Sequence, residues 1–136
     1  MKTHVLTFAA CASLAAVSAR ADDTERDERY RSFLSCAAFH TIEASKSSGN
    51  AVDAQRAVAL DYAQAATAFA PDGKTETVDT DLQQLLGDFQ KELDEGDARD
   101  MAKQWTDLES ACDELHQLKD EWAPPRKETP SAAEAR

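Results

Sequence analysis

Apolar residues recur at helical spacing along most of the chain, and the pattern is longest near its C-terminal end. Between Ala98 and Trp122 they lie three or four residues apart, with mostly charged or amide residues between them. This spacing keeps them on one face of an α-helix. Asp97 suits the N-cap of that helix, and the Pro124-Pro125 pair ends it. The seam consists of Ala98, Met101, Trp105, Leu108, Cys112, Leu115 and Trp122.

Three earlier segments show helical periodicity as well. We predict helices over Thr24–Lys46, Ala51–Ala70 and Asp79–Leu93, with Asn50 as the N-cap of the second. The short connections between them contain Gly and Pro, and no segment has the alternation of a β-strand. The sequence therefore predicts an all-α fold, an up-down-up-down four-helix bundle in which the first and fourth helices are antiparallel neighbours.

The ends of the chain differ from its middle. Residues 1–21 combine a basic start, an apolar stretch and Ala19-Arg20-Ala21, as in a secretory signal peptide cleaved after Ala21. A lipoprotein site at Cys11 is the weaker alternative. Residues 22–122 form the predicted helical domain, and residues 123–136, rich in Pro, Ala, Glu and Lys, are predicted to be a disordered tail.

Charge narrows the range of partners. The chain has 15 basic and 26 acidic residues, a formal net charge of −11, which becomes −13 once Lys2 and Arg20 leave with the signal peptide. An acidic surface repels nucleic acids and anionic membranes, so we expect neither as a partner. The charge is interpreted first as favouring solubility, and a basic partner is the alternative interpretation.

Two cysteines remain after export, Cys36 and Cys112. In a periplasmic or extracellular compartment such a pair is a disulfide candidate. Cys36 lies about midway along the first helix and Cys112 about midway along the fourth. In the antiparallel arrangement the two thiols fall at similar heights, so we predict a Cys36–Cys112 bond.

The same cysteines each precede a histidine by four residues, giving Cys36-x-x-x-His40 and Cys112-x-x-x-His116. If the register of the two helices slips by one turn, the four side chains could converge on zinc or copper(I). If the cysteines are level and bonded, the histidines lie on opposite sides of the bond, about 12 Å apart. The disulfide and the metal site are therefore mutually exclusive.

The first helix is apolar on more than one side. Phe39 and Ile42 lie off the face defined by Tyr30, Phe33 and Leu34. A helix of this kind is either deeply buried or in contact with a partner. We therefore consider Phe39 and Ile42 candidate partner-contact residues.

No catalytic, phosphate-binding or haem-attachment motif is present, so we expect no enzymatic activity. The arrangement is similar, in architecture only, to some helical periplasmic immunity and inhibitor proteins. We expect a periplasmic or secreted protein that binds another envelope protein or a second copy of itself, as an accessory subunit or an inhibitor-like binder. The alternative is a periplasmic metal-binding protein that uses the paired Cys/His motifs.

Overall fold

The computed structural model describes the backbone of residues 11–123 and the side chains of residues 22–123. It contains four helices, α1 (Cys11–Lys46), α2 (Asn50–Thr67), α3 (Thr75–Glu95) and α4 (Ala98–Trp122), and no strand within the described range. The first ten residues of the predicted signal peptide and residues 124–136 of the predicted 123–136 tail lie outside the described residues.

The helices run alternately up and down. Phe33 of α1 stacks on Phe69, two residues past the end of α2, whereas His40 stacks on Tyr62 within α2, so α1 and α2 are antiparallel. Phe39 of α1 contacts Trp105 of α4, whereas Phe33 contacts Trp122, so α4 also opposes α1. The predicted bundle with neighbouring first and fourth helices is confirmed.

The third helix runs in the same direction as α1. Tyr30 of α1 donates a hydrogen bond to Asp81 near the start of α3, at 2.6 Å. Further along α3, Phe89 meets Trp105 of α4, which in turn packs on Phe39 of α1. The apolar core thus centres on α1, which contacts all three other helices.

Two helices, α1 and α3, extend several residues further toward the N-terminus than predicted. The first already includes residues 11–23, ahead of the predicted start at Thr24, because this stretch is rich in alanine and contains no proline or glycine to stop a helix. The third begins at Thr75 instead of Asp79. There the Asp72 carboxylate accepts hydrogen bonds from the Lys74 amide and the Thr77 hydroxyl, at 3.0 and 2.6 Å, which orders the first turn.

The caps of the other two helices show what short-range signals can specify. Asp97 caps α4 as predicted, accepting bonds from the amides of Arg99 and Asp100. The prediction that Asn50 caps α2 is wrong, since Asn50 is already helical and Gly49, at φ 60°, takes the cap position. A positive φ is accessible to glycine without a steric penalty, which lets the chain turn sharply out of the loop.

A side chain of α1 caps the chain just past the C-terminal end of α2. The helix ends at Thr67, three residues before the predicted Ala70, and the chain continues as a tight turn. Arg26 donates to the carbonyl oxygens of Phe69 and Ala70, at 3.3 and 2.7 Å. These bonds satisfy carbonyl groups that the helix no longer pairs and fix α2 against α1.

Candidate functional site

The Cys36–Cys112 disulfide joins α1 to α4 in the middle of the bundle, which confirms the predicted pairing. The two Cα atoms are 5.5 Å apart, and the residues are only 3% and 1% exposed. Tyr62 of α2 reaches the same point, and its hydroxyl donates to the Cys112 carbonyl oxygen at 2.6 Å. Three helices are therefore tied together at one level.

Tyr62 remains neutral and acts as a hydrogen-bond donor there. Burial, followed by the nearby carboxylates of Asp113 and Asp61, raises the pKa of Tyr62 to about 12. Each of these causes disfavours the phenolate. The tyrosine is consequently a structural hydrogen-bond donor, and its hydroxyl stays protonated near neutral pH.

Both predicted histidine ligands lie beside this tyrosine. The His40 ring is stacked on Tyr62 with 5.5 Å between ring centroids, and its Nδ1 shares a 2.6 Å hydrogen bond with Gln55 Oε1. The exposed His116 ring meets Tyr62 edge-on at 6.3 Å. Each histidine thus has an aromatic partner on the bundle.

The disulfide decides against the predicted zinc or copper centre. Both sulfurs are covalently bonded to each other, so Cys36 and Cys112 cannot act as thiolate ligands alongside His40 and His116. Among the residues whose side chains are described, no group of three or more His, Cys, Asp or Glu could hold a metal ion. The residues present do not fit the metal-binding alternative.

Phe39 and Ile42 are not surface residues, which corrects the prediction of a partner contact there. They are only 3% and 6% exposed. The Trp105 ring of α4 lies 4.8 Å from the Phe39 ring and is held by a 2.7 Å hydrogen bond from its Nε1 to Glu43 Oε1. Several faces of α1 are apolar because α1 packs against three helices of its own chain.

An open apolar groove lies between α1 and α4, next to the disulfide. It has a volume of about 400 Å³. The floor is apolar and comes mainly from α4: Leu108, Ala111, Leu115, Leu118 and Trp122. On the α1 side the wall consists of Arg31, Ser32, Ser35 and Cys36. Leu118 is 37% exposed, which makes it the most exposed large apolar side chain of the groove.

The α4 residues of this groove follow coiled-coil spacing. Positions 108, 111, 115, 118 and 122 are separated by three, four, three and four residues. In a heptad these are the alternating a and d positions, which pack side chains against another helix. Leu108, Leu115 and Trp122 also belong to the seam that faces the bundle, so α4 carries two adjacent seams.

Ala111 and Leu118 were not predicted as site residues, although the sequence contains a signal for them. They lie one residue before Cys112 and Lys119, so they form a second seam parallel to the predicted one. One helix can serve two neighbours when a and d spacing occurs twice with a one-residue offset. Such an offset in a terminal helix indicates a second packing surface.

The rim of the groove is acidic on the α4 side. The residues just before each a position, Asp107, Glu114 and Glu121, are all carboxylates. Asp107 is paired with Lys103 at 3.0 Å. Glu114 and Glu121 make no ion pair with any residue whose side chain the structure describes. Among the described side chains, two carboxylates beside the apolar floor are therefore without an ion pair.

Comparisons with known proteins suggest no function for this chain. No family model matches the chain, and neither the curated proteins nor the solved structures include a match. No helix in the described part of the chain has the length and apolar character needed to cross a membrane. What is established is a disulfide-linked four-helix bundle with an open groove between its first and last helices.

Proposed function

We propose that this chain is an exported, non-enzymatic protein that binds another protein through the groove between α1 and α4. The observation that carries this proposal is the exposure of Ala111 and Leu118 of α4 in an open groove of about 400 Å³, beside Leu108, Leu115 and Trp122, which the bundle covers at least in part. Apolar residues at a and d spacing are costly to leave in water and are favourable to bury against a helix. A grooved bundle of this kind suits an accessory subunit or an inhibitor-like binder.

The disulfide supports the proposal by fixing the groove. Cys36 lines the groove on the α1 side, and its bond to Cys112 holds the two walls together at that point. A surface that is already in its bound shape loses less conformational entropy on binding. The bond also supports export, since disulfides persist in oxidising compartments such as the periplasm.

The proposal is tested by the size of the native assembly in extracts of cells that make the protein. Leu118→Ser removes the most exposed large apolar side chain of the groove, whereas Leu60→Ser removes one on α2 that is 60% exposed and lies outside the groove. We expect wild type and Leu60→Ser to migrate in a heavier complex and Leu118→Ser to migrate as the free chain. Circular dichroism checks that each variant is folded.

The result that would contradict this proposal is the same assembly size for all three chains. If all three migrate as free monomers, the groove has no stable partner. If all three remain in the same complex, the contact lies elsewhere on the surface. Either outcome would show that the groove is not the binding surface for another protein.

A further inference from the structure

We propose that the segment bound by the groove is a basic amphipathic α-helix of another protein, with leucine-like residues at a and d spacing and lysine or arginine beside them. This inference rests on the proposed function and names the chemistry of its partner. The shape of the groove and the charge of its rim support it separately.

The groove has the dimensions of a docked helix. From Leu108 to Trp122 the floor extends about 21 Å along α4, the length of four helical turns at a rise of 1.5 Å per residue. Its apolar side chains alternate at the spacing that receives the side chains of a facing helix. On the opposite wall Ser32 and Ser35 are small, which lets a helix backbone approach α1 closely.

The rim specifies the charge of that helix. In paired helices the residues that flank the a and d seam meet charged residues of the partner and determine which partner is accepted. On α4 these flanking residues include Glu114 and Glu121, which carry no ion pair within the described side chains. On the other wall, Arg31 is already paired with Asp27 at 2.8 Å. Within residues 22–123, whose side chains the structure describes, the unpaired charge beside the groove is therefore negative.

The wider surface has the same sign. Between Thr75 and Trp122 the chain has 15 acidic and 4 basic residues, so this segment, which comprises α3, α4 and the turn between them, carries a net charge of −11. A basic segment would be attracted to this surface before contact. A second copy of the chain would instead bring identical carboxylates against one another, which disfavours a homodimer through this groove.

The probe for this inference is a designed helical peptide of about 18 residues, long enough to cover the groove. One version has leucine at the a and d positions and lysine at the flanking positions, and its twin has glutamate in place of each lysine. Isothermal titration calorimetry of the full chain measures the affinity for each peptide. We expect the lysine peptide to bind with a stoichiometry of one and to weaken as salt is added, and the glutamate twin not to bind.

Because the whole α3–α4 surface is acidic, the decisive comparison uses two variants with equal net charge. Glu114→Lys/Glu121→Lys reverses the charge of the groove rim. Glu92→Lys/Glu109→Lys makes the same change in net charge away from the groove. We expect the rim variant to lose roughly tenfold or more in affinity for the lysine peptide and the control variant to lose less than about threefold, since exposed charge pairs act mainly at short range in salt.

Equal losses in the two variants would overturn the inference, because they would show only general attraction to an acidic surface. Equal binding of the lysine peptide and its glutamate twin would also overturn it, because the rim would then have no role in selection. If neither peptide binds, the groove does not accept a helix. The assembly-size experiment with Leu118→Ser remains an independent test of the proposed function in each of these cases.

Discussion

Removing the Cys36–Cys112 bond should destabilise the bundle by about 4 kcal/mol. The cysteines are 76 residues apart in sequence, so the bond closes a loop that includes the last third of α1, all of α2 and α3, and the first half of α4. In the chain-entropy model, closing a loop of this size lowers the conformational entropy of the unfolded chain and so raises its free energy by about 4 kcal/mol. Domains of this size are typically stable by only about 5–15 kcal/mol, so much of the free energy of unfolding depends on this bond.

The assay is urea denaturation followed by circular dichroism for Cys36→Ala, Cys112→Ala and the double variant, all under reducing conditions. Oxidised wild type serves as the reference. Either single change breaks the same bond, so each single variant should lose about as much as the double variant. The losses should not add, as they would for two independent sites. Reduced wild type, which keeps both sulfurs, should show a similar loss and serves as the matched control.

Two results would refute this reasoning. A double variant within about 1 kcal/mol of the oxidised wild type would show that the bond contributes little to the free energy of unfolding. Losses that add across the two single variants would show that the effect comes from packing around each sulfur instead of from the cross-link. The slope of the urea dependence must also be compared, because a change in it signals an altered unfolded state.

Three further outcomes follow from other contacts of the bundle. Folding raises the pKa of Tyr62 to about 12, so the stabilising contribution of Tyr62 is fully present below about pH 10 and is lost as the pH rises towards 12. Absorbance titration of Tyr30→Phe, which leaves Tyr62 as the sole tyrosine, measures this pKa, and a midpoint near 10 in the folded chain would contradict the prediction. Asp97→Ala removes the cap of α4 and should cost about 1 kcal/mol by urea denaturation, against no measurable change for the exposed Asp88→Ala, and equal values for the two would argue against the cap. Leu118→Ser should lower the free energy of unfolding by about 1 kcal/mol or less, and a larger loss by the same assay would mean that Leu118 supports the core.

The helices and the disulfide could be predicted because they depend on the spacing of apolar residues and on the order of the helices along the chain. The period of apolar positions identifies four helices, and Asp97 specifies the start of α4 through its own side chain. The pairing of Cys36 with Cys112 follows from their mid-helix positions once short connections make the first and last helices neighbours. These inferences need the helical period and the chain connectivity and no knowledge of side-chain packing.

The locations of Phe39, Ile42 and Leu118 depended on tertiary contacts. A sequence pattern shows that α1 has several apolar faces, and it does not show how many of them the chain itself covers. Trp105 covers Phe39, while no helix of the bundle fully covers Leu118. The open surface therefore lies on the last helix, whereas the sequence pattern had pointed to the first.

The early start of α3 has a similar origin. The residues between Gly73 and Asp79 have little apolar periodicity, so they predict a polar connection. In the fold, Asp72 binds both the Lys74 amide and the Thr77 hydroxyl, and these bonds hold the pKa of the Asp72 carboxyl below its usual range. A helix start that relies on a side chain several residues away leaves no periodic signal.

The most direct test of the groove as a binding surface is site-specific photocrosslinking in the cells that make the protein. A photoreactive amino acid is placed at position 118 in the groove and, in a separate chain, at position 60 on α2. The account predicts a discrete covalent adduct from position 118 alone, attached to a basic amphipathic helix when its peptides are mapped by mass spectrometry. An absence of adducts at position 118, or the same adducts from both positions, would contradict it.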